Sequence, residues 1–387
     1  MSQPKVEEKI KELGRSLGFD LVRITTAEPF YSDESESLKR VRDGHMDGLS
    51  WYTEDRVKKM NRPYLLLERA RSIISVGVSY LSSETESQKL STGKVSKYAR
   101  GEDYHSVIKS KLSEFRDLLP GILKKNVNAR IFVDDGPMND KGAARRSGLG
   151  WMGKNTNILT PTHGSWIFLG QLILNVELEP DIPLKKNCGN CTQCIDDCPT
   201  GAIVAPYVID NSKCISYLTI ELKGSIPVHL RTLMGDWIFG CDICQDVCPV
   251  NRKALKSNED SFKQRPGFST PDLVEILEMD QAKFSEKYKD SPIKRTKLLG
   301  LKRNACVALG NNGDLGSISA LTRALWEEES LVRIHAAWAL GRIGGEKAIA
   351  ILERALHSEK DVEIINEIRL SIEEAEEKLS SEPNNGR

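Results

Sequence analysis

The sequence predicts a multidomain chain of mixed class: an α/β domain, then a segment built around two iron–sulfur clusters, then an all-α solenoid. Three observations lead there. Helix and strand signals alternate up to about residue 180, eight cysteines fall between Cys188 and Cys248, and an internal helical repeat follows residue 300. A chain of 387 residues is long enough for two or three domains.

The α/β domain spans residues 1–180. Val6, Ile10, Leu13 and Leu17 share one helical face, and Gly14 and Gly18 lie near that helix's end. Leu21–Thr25 and Ser72–Tyr80 have strand character, and His105–Leu119 has helical spacing. Arg130–Val133 is a short buried strand, and Ser165–Leu174 is a second apolar one. Glu179-Pro-Asp-Ile-Pro183 looks like a linker.

The segment 181–255 holds the clusters. Cys188, Cys191, Cys194 and Cys198, with Pro199 after them, follow the C-x2-C-x2-C-x3-C-P run of bacterial ferredoxins. A second, stretched run has Cys214, then Cys241, Cys244 and Cys248, closed by Pro249. Eight thiolates serve two [4Fe–4S] clusters, and in such pairs the last cysteine of each run ligates the other cluster. This ferredoxin-like reading gives Cys188, Cys191, Cys194 and Cys248 to one cluster, and Cys214, Cys241, Cys244 and Cys198 to the other. Zinc needs only two C-x2-C pairs, not four cysteines within eleven residues. Disulfides are not expected in a reducing compartment, and the N-terminal stretch Met1-Ser-Gln-Pro-Lys-Val-Glu-Glu-Lys has no apolar run of a secretory signal. Cys306 sits in an apolar helical run and is expected in the core.

Residues 256–293 form a polar connection with short helices, and 294–387 form the solenoid. Ala308-Leu309-Gly310 recurs as Ala339-Leu340-Gly341, and Leu321–Leu325 recurs as Leu352–Leu356, both at an offset of 31 residues. Each unit reads as helix, glycine turn, helix, a HEAT-like pattern with a short period. Two repeats cannot stand alone, so they are expected to dock on the rest of the chain. Val362–Leu379 is a capping helix, and Ser380–Arg387 is expected to be a disordered tail.

Several residues could carry chemistry. Asp134 follows the strand Arg130–Val133, where open α/β sheets bind ligands. In a dry site it could serve as a general acid, but an Asp before Gly-Pro also suits an ordinary turn, and Asp135 is the better turn residue. Gly148-Leu-Gly150-Trp-Met-Gly153 matches G-x-G-x-x-G, yet it follows a helical run and has no acid about 20 residues on, so it is no dinucleotide fingerprint. It is instead a glycine-rich loop closed by Lys154 and Asn155, which could grip a polar edge. Tyr98, Arg100, Tyr104 and His105 cluster in a segment with few apolar residues, which suits ligand contact. Lys294, Arg295, Lys297, Lys302 and Arg303 form an acid-free cationic run at the solenoid's start, suited either to solvent or to phosphates.

Basic and acidic residues balance at 55 each, so net charge argues neither for nor against a nucleic-acid partner. No apolar run approaches the roughly 20 residues of a membrane span. A cytoplasmic, non-membrane monomer is expected.

Together, six motifs resemble the epoxyqueuosine reductase family over nearly the whole chain. They are Tyr98–His105, Val133-Asp-Asp-Gly-Pro137, Gly148–Asn155, Cys198-Pro-Thr-Gly-Ala-Ile203, Cys214–Glu221 and Gly240–Asn251, with Ser291–Lys297 and Gly300–Asn304 before the repeats. The resemblance implies a nitroreductase-like α/β domain binding cobalamin beside the two [4Fe–4S] clusters. It implies reduction of epoxyqueuosine to queuosine in the anticodon stem-loop of tRNA, with electrons from an external one-electron donor. It assigns Asp134 as proton donor, and Arg56, Tyr98, Asp134, Lys154, Asn155, Ser216 and Asp242 as cobalamin contacts. It assigns tRNA contacts to Lys223, Lys294, Arg295, Lys297, Lys302 and Arg303. The chain departs from the family at Asp135, where Thr or Ser is usual, at Asp140-Lys141, where Glu-Arg is common, and at Val250, where an aromatic often stands. The alternatives are a reductive dehalogenase-like cobalamin enzyme and a non-catalytic electron-transfer module.

Overall fold

Ser72–Ser79 is buried along its whole length, because both faces of this central strand are covered. A computed structural model describes residues 5–83 and 91–381 of the chain. In it four strands form one sheet in the order Leu21–Thr26, Ser72–Ser79, Ile167–Leu174, Ala129–Phe132, and every neighbouring pair is antiparallel. Ile74 lies opposite both Ile24 and Leu172, so the three strands bring apolar side chains to the same level. The helix Tyr104–Leu123 covers one face through Ile108, Leu112, Phe115 and Leu119. It comes close at Gly170, where an added Cβ would stand 3.0 Å from Ile108, Leu112 and Val76. The first helix, Val6–Ser16, packs beside it, with Gly14 against Val22 and Phe115. The expected linker is pinned to the sheet: Asp181 accepts from the Ile24 amide at 2.8 Å and from Lys11 at 2.6 Å.

The chain divides into two compact units, one made of 1–83, 101–212 and 242–263, the other of 84–100, 213–241 and 264–387. They interleave and do not follow the sequence segments bounded at 180, 255 and 293. Residues 213–241 sort with the solenoid because its first helix carries groups that only they satisfy. Arg303 donates to the carbonyls of Leu218, Leu222 and Gly224, and Asn304 donates to those of Thr219 and Ile238. Farther along, Asn311 donates to the carbonyls of Arg231 and Gly235. Buried Arg231 pairs with Glu367 at 2.8 Å. His335 accepts from the Ile226 amide at 3.1 Å and is kept neutral by burial, which holds it well below the usual histidine range.

The solenoid helices are Lys297–Asn312, Ile318–Ala324, Ser330–Ile343, Glu346–Ser358 and Val362–Ser381. The last runs through Ser380 and Ser381, which were expected in the tail; the rest of that tail lies outside the described residues. Cys306 is fully buried, as its apolar run implies. The repeated glycines mark equivalent helix crossings. A Cβ on Gly310 would sit 2.9 Å from the Ala339 Cα, and one on Gly341 would sit 2.6 Å from the Ser371 carbonyl oxygen. The repeat period thus encodes close backbone approach of each leading helix to the next.

Gly341→Ala should therefore cost about 1–3 kcal/mol, the usual range for forced overpacking. Gly121→Ala, in a helix where an added Cβ meets nothing within 4 Å, should be neutral or slightly stabilising. Chemical denaturation of the two variants checks the difference.

Candidate active site and cluster loops

The strand Ala129–Phe132 ends two residues before Asp134, which takes a left-handed backbone with φ 53°. The Tyr104 hydroxyl donates to Asp134 Oδ2 at 2.6 Å. Tyr104 is itself stacked on Phe168, with ring centroids 4.2 Å apart and planes 6° from parallel. Phe168 in turn meets Tyr80 and Phe262, so the hydroxyl is aimed by an aromatic wall. Asp135 points elsewhere. Its Oδ1 accepts from the Val133 amide at 3.2 Å, and its other oxygen pairs with Lys109. Burial would raise its pKa, but the Lys109 ion pair and the Val133 amide outweigh this and hold the carboxyl below its usual range. Both carboxylates are exposed, but Asp135 is spent on its own turn and on Lys109, whereas Asp134 is held by the Tyr104 hydroxyl.

Asn139 caps the next helix, Asp140–Arg146, through the Gly142 amide at 2.8 Å. That places Asp140 and Lys141 on its first turn. Asp140 Oδ1 is buried without a hydrogen-bond partner, and burial, aided by the Asp134 charge, raises this carboxyl well above its usual range. Gln171 donates to the Asp140 carbonyl at 3.3 Å, and its own side-chain oxygen is likewise buried and unpartnered. Lys141 keeps contact with solvent, yet partial desolvation lowers its pKa despite the charges of Asp134 and Cys244 nearby. Asp134 and Cys244 thus both lie within electrostatic reach of Lys141.

In the first cysteine loop the short helix Gln193–Asp196 packs on the matching helix Ile243–Asp246 of the second run. Cys194 is pushed up to about 11 by burial, with Cys188, Cys248 and Cys191 adding repulsion. Burial and the charges of Cys188 and Cys191 also raise Cys248. Cys194 and Cys248 thus each feel the charges of Cys188 and Cys191, although Cys248 lies far along the chain. Cys198 lies 3.7 Å from the Thr200 hydroxyl. Among the described residues no three His, Cys, Asp or Glu side chains are drawn together as around a single ion. In the other unit, Cys214 precedes the helix Ile215–Ile220, which packs on the strand Trp237–Phe239, and Cys241 comes just after that strand.

Polar clamps hold the loops of the first unit. Asn251 donates to the Gln245 carbonyl at 2.7 Å and to Ser165 Oγ at 2.9 Å, and it accepts from the Ser165 amide at 2.7 Å. Gly164 leaves room for this, since a Cβ there would fall 1.9 Å from Asn251 Oδ1. The glycine-rich loop turns into a hairpin, Trp151–Met152 paired with Ile158–Leu159, and does not open a helix. At its tip Lys154 Nζ donates to the carbonyls of Gly189 and Cys191, both at 2.8 Å. Asn155 Nδ2 donates to the Cys244 carbonyl at 3.1 Å.

The remaining expected residues fall as follows. Arg56 stacks its guanidinium over the Trp51 ring at 4.8 Å. Asp242 is buried and accepts from Gln245 Nε2 at 3.2 Å. In the other unit Tyr98 lies against Phe239, and Ser216 sits on the helix Ile215–Ile220. Lys294, Arg295, Lys297 and Lys223 are exposed, and Arg295 also pairs with Glu221. Lys302 and Arg303 correct the expected cationic run. Arg303 is fully buried on backbone carbonyls, and Lys302 is buried against Glu327 at 2.6 Å. Both face inward because the helix Lys297–Asn312 is buried from Gly300 to Gly310. Tyr104 and Gln171 are neighbours of Asp134 and Asp140 that no local sequence signal pairs with them.

Cysteine loops of this spacing, joined to a strand-end carboxylate on an antiparallel α/β sheet, define an iron–sulfur oxidoreductase. Residues 187–251 match the 4Fe-4S double cluster binding domain, 61–135 match Epoxyqueuosine reductase QueG, DUF1730, and 300–373 match HEAT repeats. The epoxyqueuosine reductase of Cellulophaga algicola is 42% identical over 303 residues, 78% of this chain and 98% of that one. That of Bacillus subtilis is 33% identical over 381 residues, 96% and 97% of the two chains. A crystal structure of epoxyqueuosine reductase with an epoxyqueuosine-modified tRNA stem loop superposes with a TM-score of 0.90 at 33% identity, covering 96% of this chain and 99% of that one. The Streptococcus thermophilus enzyme gives 0.87 at 28% identity, covering 96% and 99%. The chain belongs to the epoxyqueuosine reductase family.

Anaerobic reconstitution should load about eight irons per chain, four for each cluster. Cys248→Ser should deplete the cluster held by Cys188, Cys191 and Cys194, although Cys248 belongs to the second run. Iron analysis with EPR of the reduced protein checks both.

Proposed function

We propose that this chain reduces the epoxide of epoxyqueuosine in a tRNA anticodon loop to the alkene of queuosine. The reaction takes up two electrons and two protons, breaks both epoxide C–O bonds and releases water. The observation that carries the reading is the Tyr104-aimed carboxylate of Asp134, set beside the cysteine loops of a chain in this family. A solved relative from Bacillus subtilis, described with its catalytic aspartate loop swung out of the active site, supports giving Asp134 the catalytic role.

The clusters deliver electrons singly from an external donor, whereas the epoxide needs a pair. Cobalamin, when bound, supplies a metal centre able to gather both electrons. The first unit suits such a group. Buried, unpartnered Asp140 Oδ1 and Gln171 Oε1 call for hydrogen-bond donors, which the peripheral amides of a corrin carry. Arg56, Tyr98, Ser216 and Asp242 are kept as proposed contacts from the family resemblance.

Asp134 protonates the departing oxygen. The Tyr104 hydroxyl occupies Oδ2, which leaves Oδ1 to carry the proton. Asp135, ionised against Lys109, does not compete for this role. Lys223, Lys294, Arg295 and Lys297 offer the tRNA backbone a set of exposed cations.

Asp134→Asn should keep full iron loading and lose about 10²–10⁴-fold in single-turnover rate on epoxyqueuosine-containing tRNA, the span of a general acid. A near-normal rate would remove Asp134 from the mechanism. Replacing Lys294, Arg295 and Lys297 by Gln should weaken tRNA binding and reduce the slope of log K against log salt by about 2. Cluster content should stay unchanged, and an unaltered slope would assign tRNA binding to another surface.

A further inference from the structure

Lys154 and Asn155 are adjacent in sequence but serve different cysteine loops. Lys154 reaches the first loop, donating to the carbonyls of Gly189 and Cys191 at 2.8 Å each. Asn155, 3% exposed, reaches the second through the Cys244 carbonyl at 3.1 Å. The tip that carries them is itself fixed. Gly153 donates to the Asn157 carbonyl at 2.8 Å, Thr156 donates back to that of Gly153 at 2.9 Å, and the Asn157 amide donates to Asn155 Oδ1 at 3.2 Å. The Lys154 carbonyl is taken as well, by the Tyr207 amide at 2.9 Å. The strand Ile158–Leu159 then returns into a buried apolar cluster with Ala144, Leu149 and Ile167. A rigid hairpin therefore offers one cationic donor and one neutral donor, each spent on a cysteine loop.

We infer that Lys154 is a positioning residue for the first cluster, setting its reduction potential and its retention, while Asn155 braces the second loop without charge. A [4Fe–4S] cluster becomes one charge more negative when it takes up an electron, and hydrogen bonding, net charge and exposure around it set its potential. The Lys154 ammonium is fastened to the backbone of two residues in that loop, one of them the ligand Cys191, so its charge cannot move away. It favours the reduced cluster. Its two hydrogen bonds also hold the most exposed ligand, Cys191, in place. This assignment draws on the cluster reading and needs neither cobalamin nor tRNA.

The test compares Lys154→Met, Lys154→Arg and Asn155→Ala with the unaltered chain, reconstituted anaerobically with iron and sulfide and free of cobalamin. EPR-monitored redox titration and iron content are the readouts, and the first cluster's signal is the one lost in Cys191→Ser. In Lys154→Met the first cluster should become harder to reduce by on the order of tenfold in its reduction equilibrium, ~59 mV for one electron, or should be lost preferentially. The second cluster should be unmoved, and Lys154→Arg should restore the first. Asn155→Ala should disturb only the second cluster's retention. The proposal is overturned if Lys154→Met leaves the first cluster's potential and iron content unchanged, if it shifts both clusters alike, or if Lys154→Arg behaves like Lys154→Met. An inactive enzyme with normal cluster responses would count against the proposed reaction, not against this inference.

Discussion

Two cysteine loops must be held in fixed positions by a stretch of chain with little apolar interior of its own. Residues 185–199 are mostly exposed, so burial cannot supply the order. Metal ligation supplies part of it, since cluster binding and folding of such loops are one equilibrium. The other part is a set of polar clamps from the α/β sheet side: Asn251 and Gln245 meeting Ser165, and the hairpin tip meeting Gly189, Cys191 and Cys244. The hairpin tip clamps backbone carbonyls of both loops, and Ser165 engages the second run's own Gln245 and Asn251, so the loop positions are set largely from the α/β side.

The same sheet explains the difference between two neighbouring carboxylates. Asp135 is neutralised by Lys109 and by its own turn. Asp134 is held by one phenol that is stacked into an aromatic wall. Asp140, on the first turn of the next helix, has one oxygen buried without a partner, and burial raises its pKa well above the usual carboxylate range. Three acids within seven positions thus sit in three environments, set by an ion pair, a hydrogen bond and burial. The aspartate at position 135 adds no second free carboxylate beside Asp134, because Lys109 is there to meet it.

Much of this was legible in the sequence where the signal is local. The cysteine spacing, the strand that ends before Asp134, the rejection of a dinucleotide loop at Gly148–Gly153 and the repeated Ala-Leu-Gly all depend on short windows. What stayed hidden depends on partners far along the chain. Lys302 and Arg303 look like the rest of a cationic run, and only residues 218–224, packed on the helix they share, turn Arg303 inward. The pairing of Tyr104 with Asp134 crosses from a helix to a strand end, and no periodicity reports it. Lys154 and Asn155 were recognisable as grips at the end of a glycine-rich loop, but their partners, carbonyls in two separate cysteine loops, have no sequence signature. The compact units interleave for the same reason: buried polar groups on the solenoid's first helix recruit residues 213–241.

In the proposed function a strand-end aspartate and two cysteine-bound clusters serve the reduction of one modified base in tRNA. Its most direct measurement is anaerobic turnover of epoxyqueuosine-containing tRNA by the chain loaded with iron–sulfur clusters and cobalamin, with a low-potential one-electron reductant and mass spectrometry of the released nucleosides. The proposed reaction requires that epoxyqueuosine disappear and that a nucleoside lighter by one oxygen replace it in equal amount. Persistence of epoxyqueuosine in the presence of fully loaded, reduced protein would contradict it.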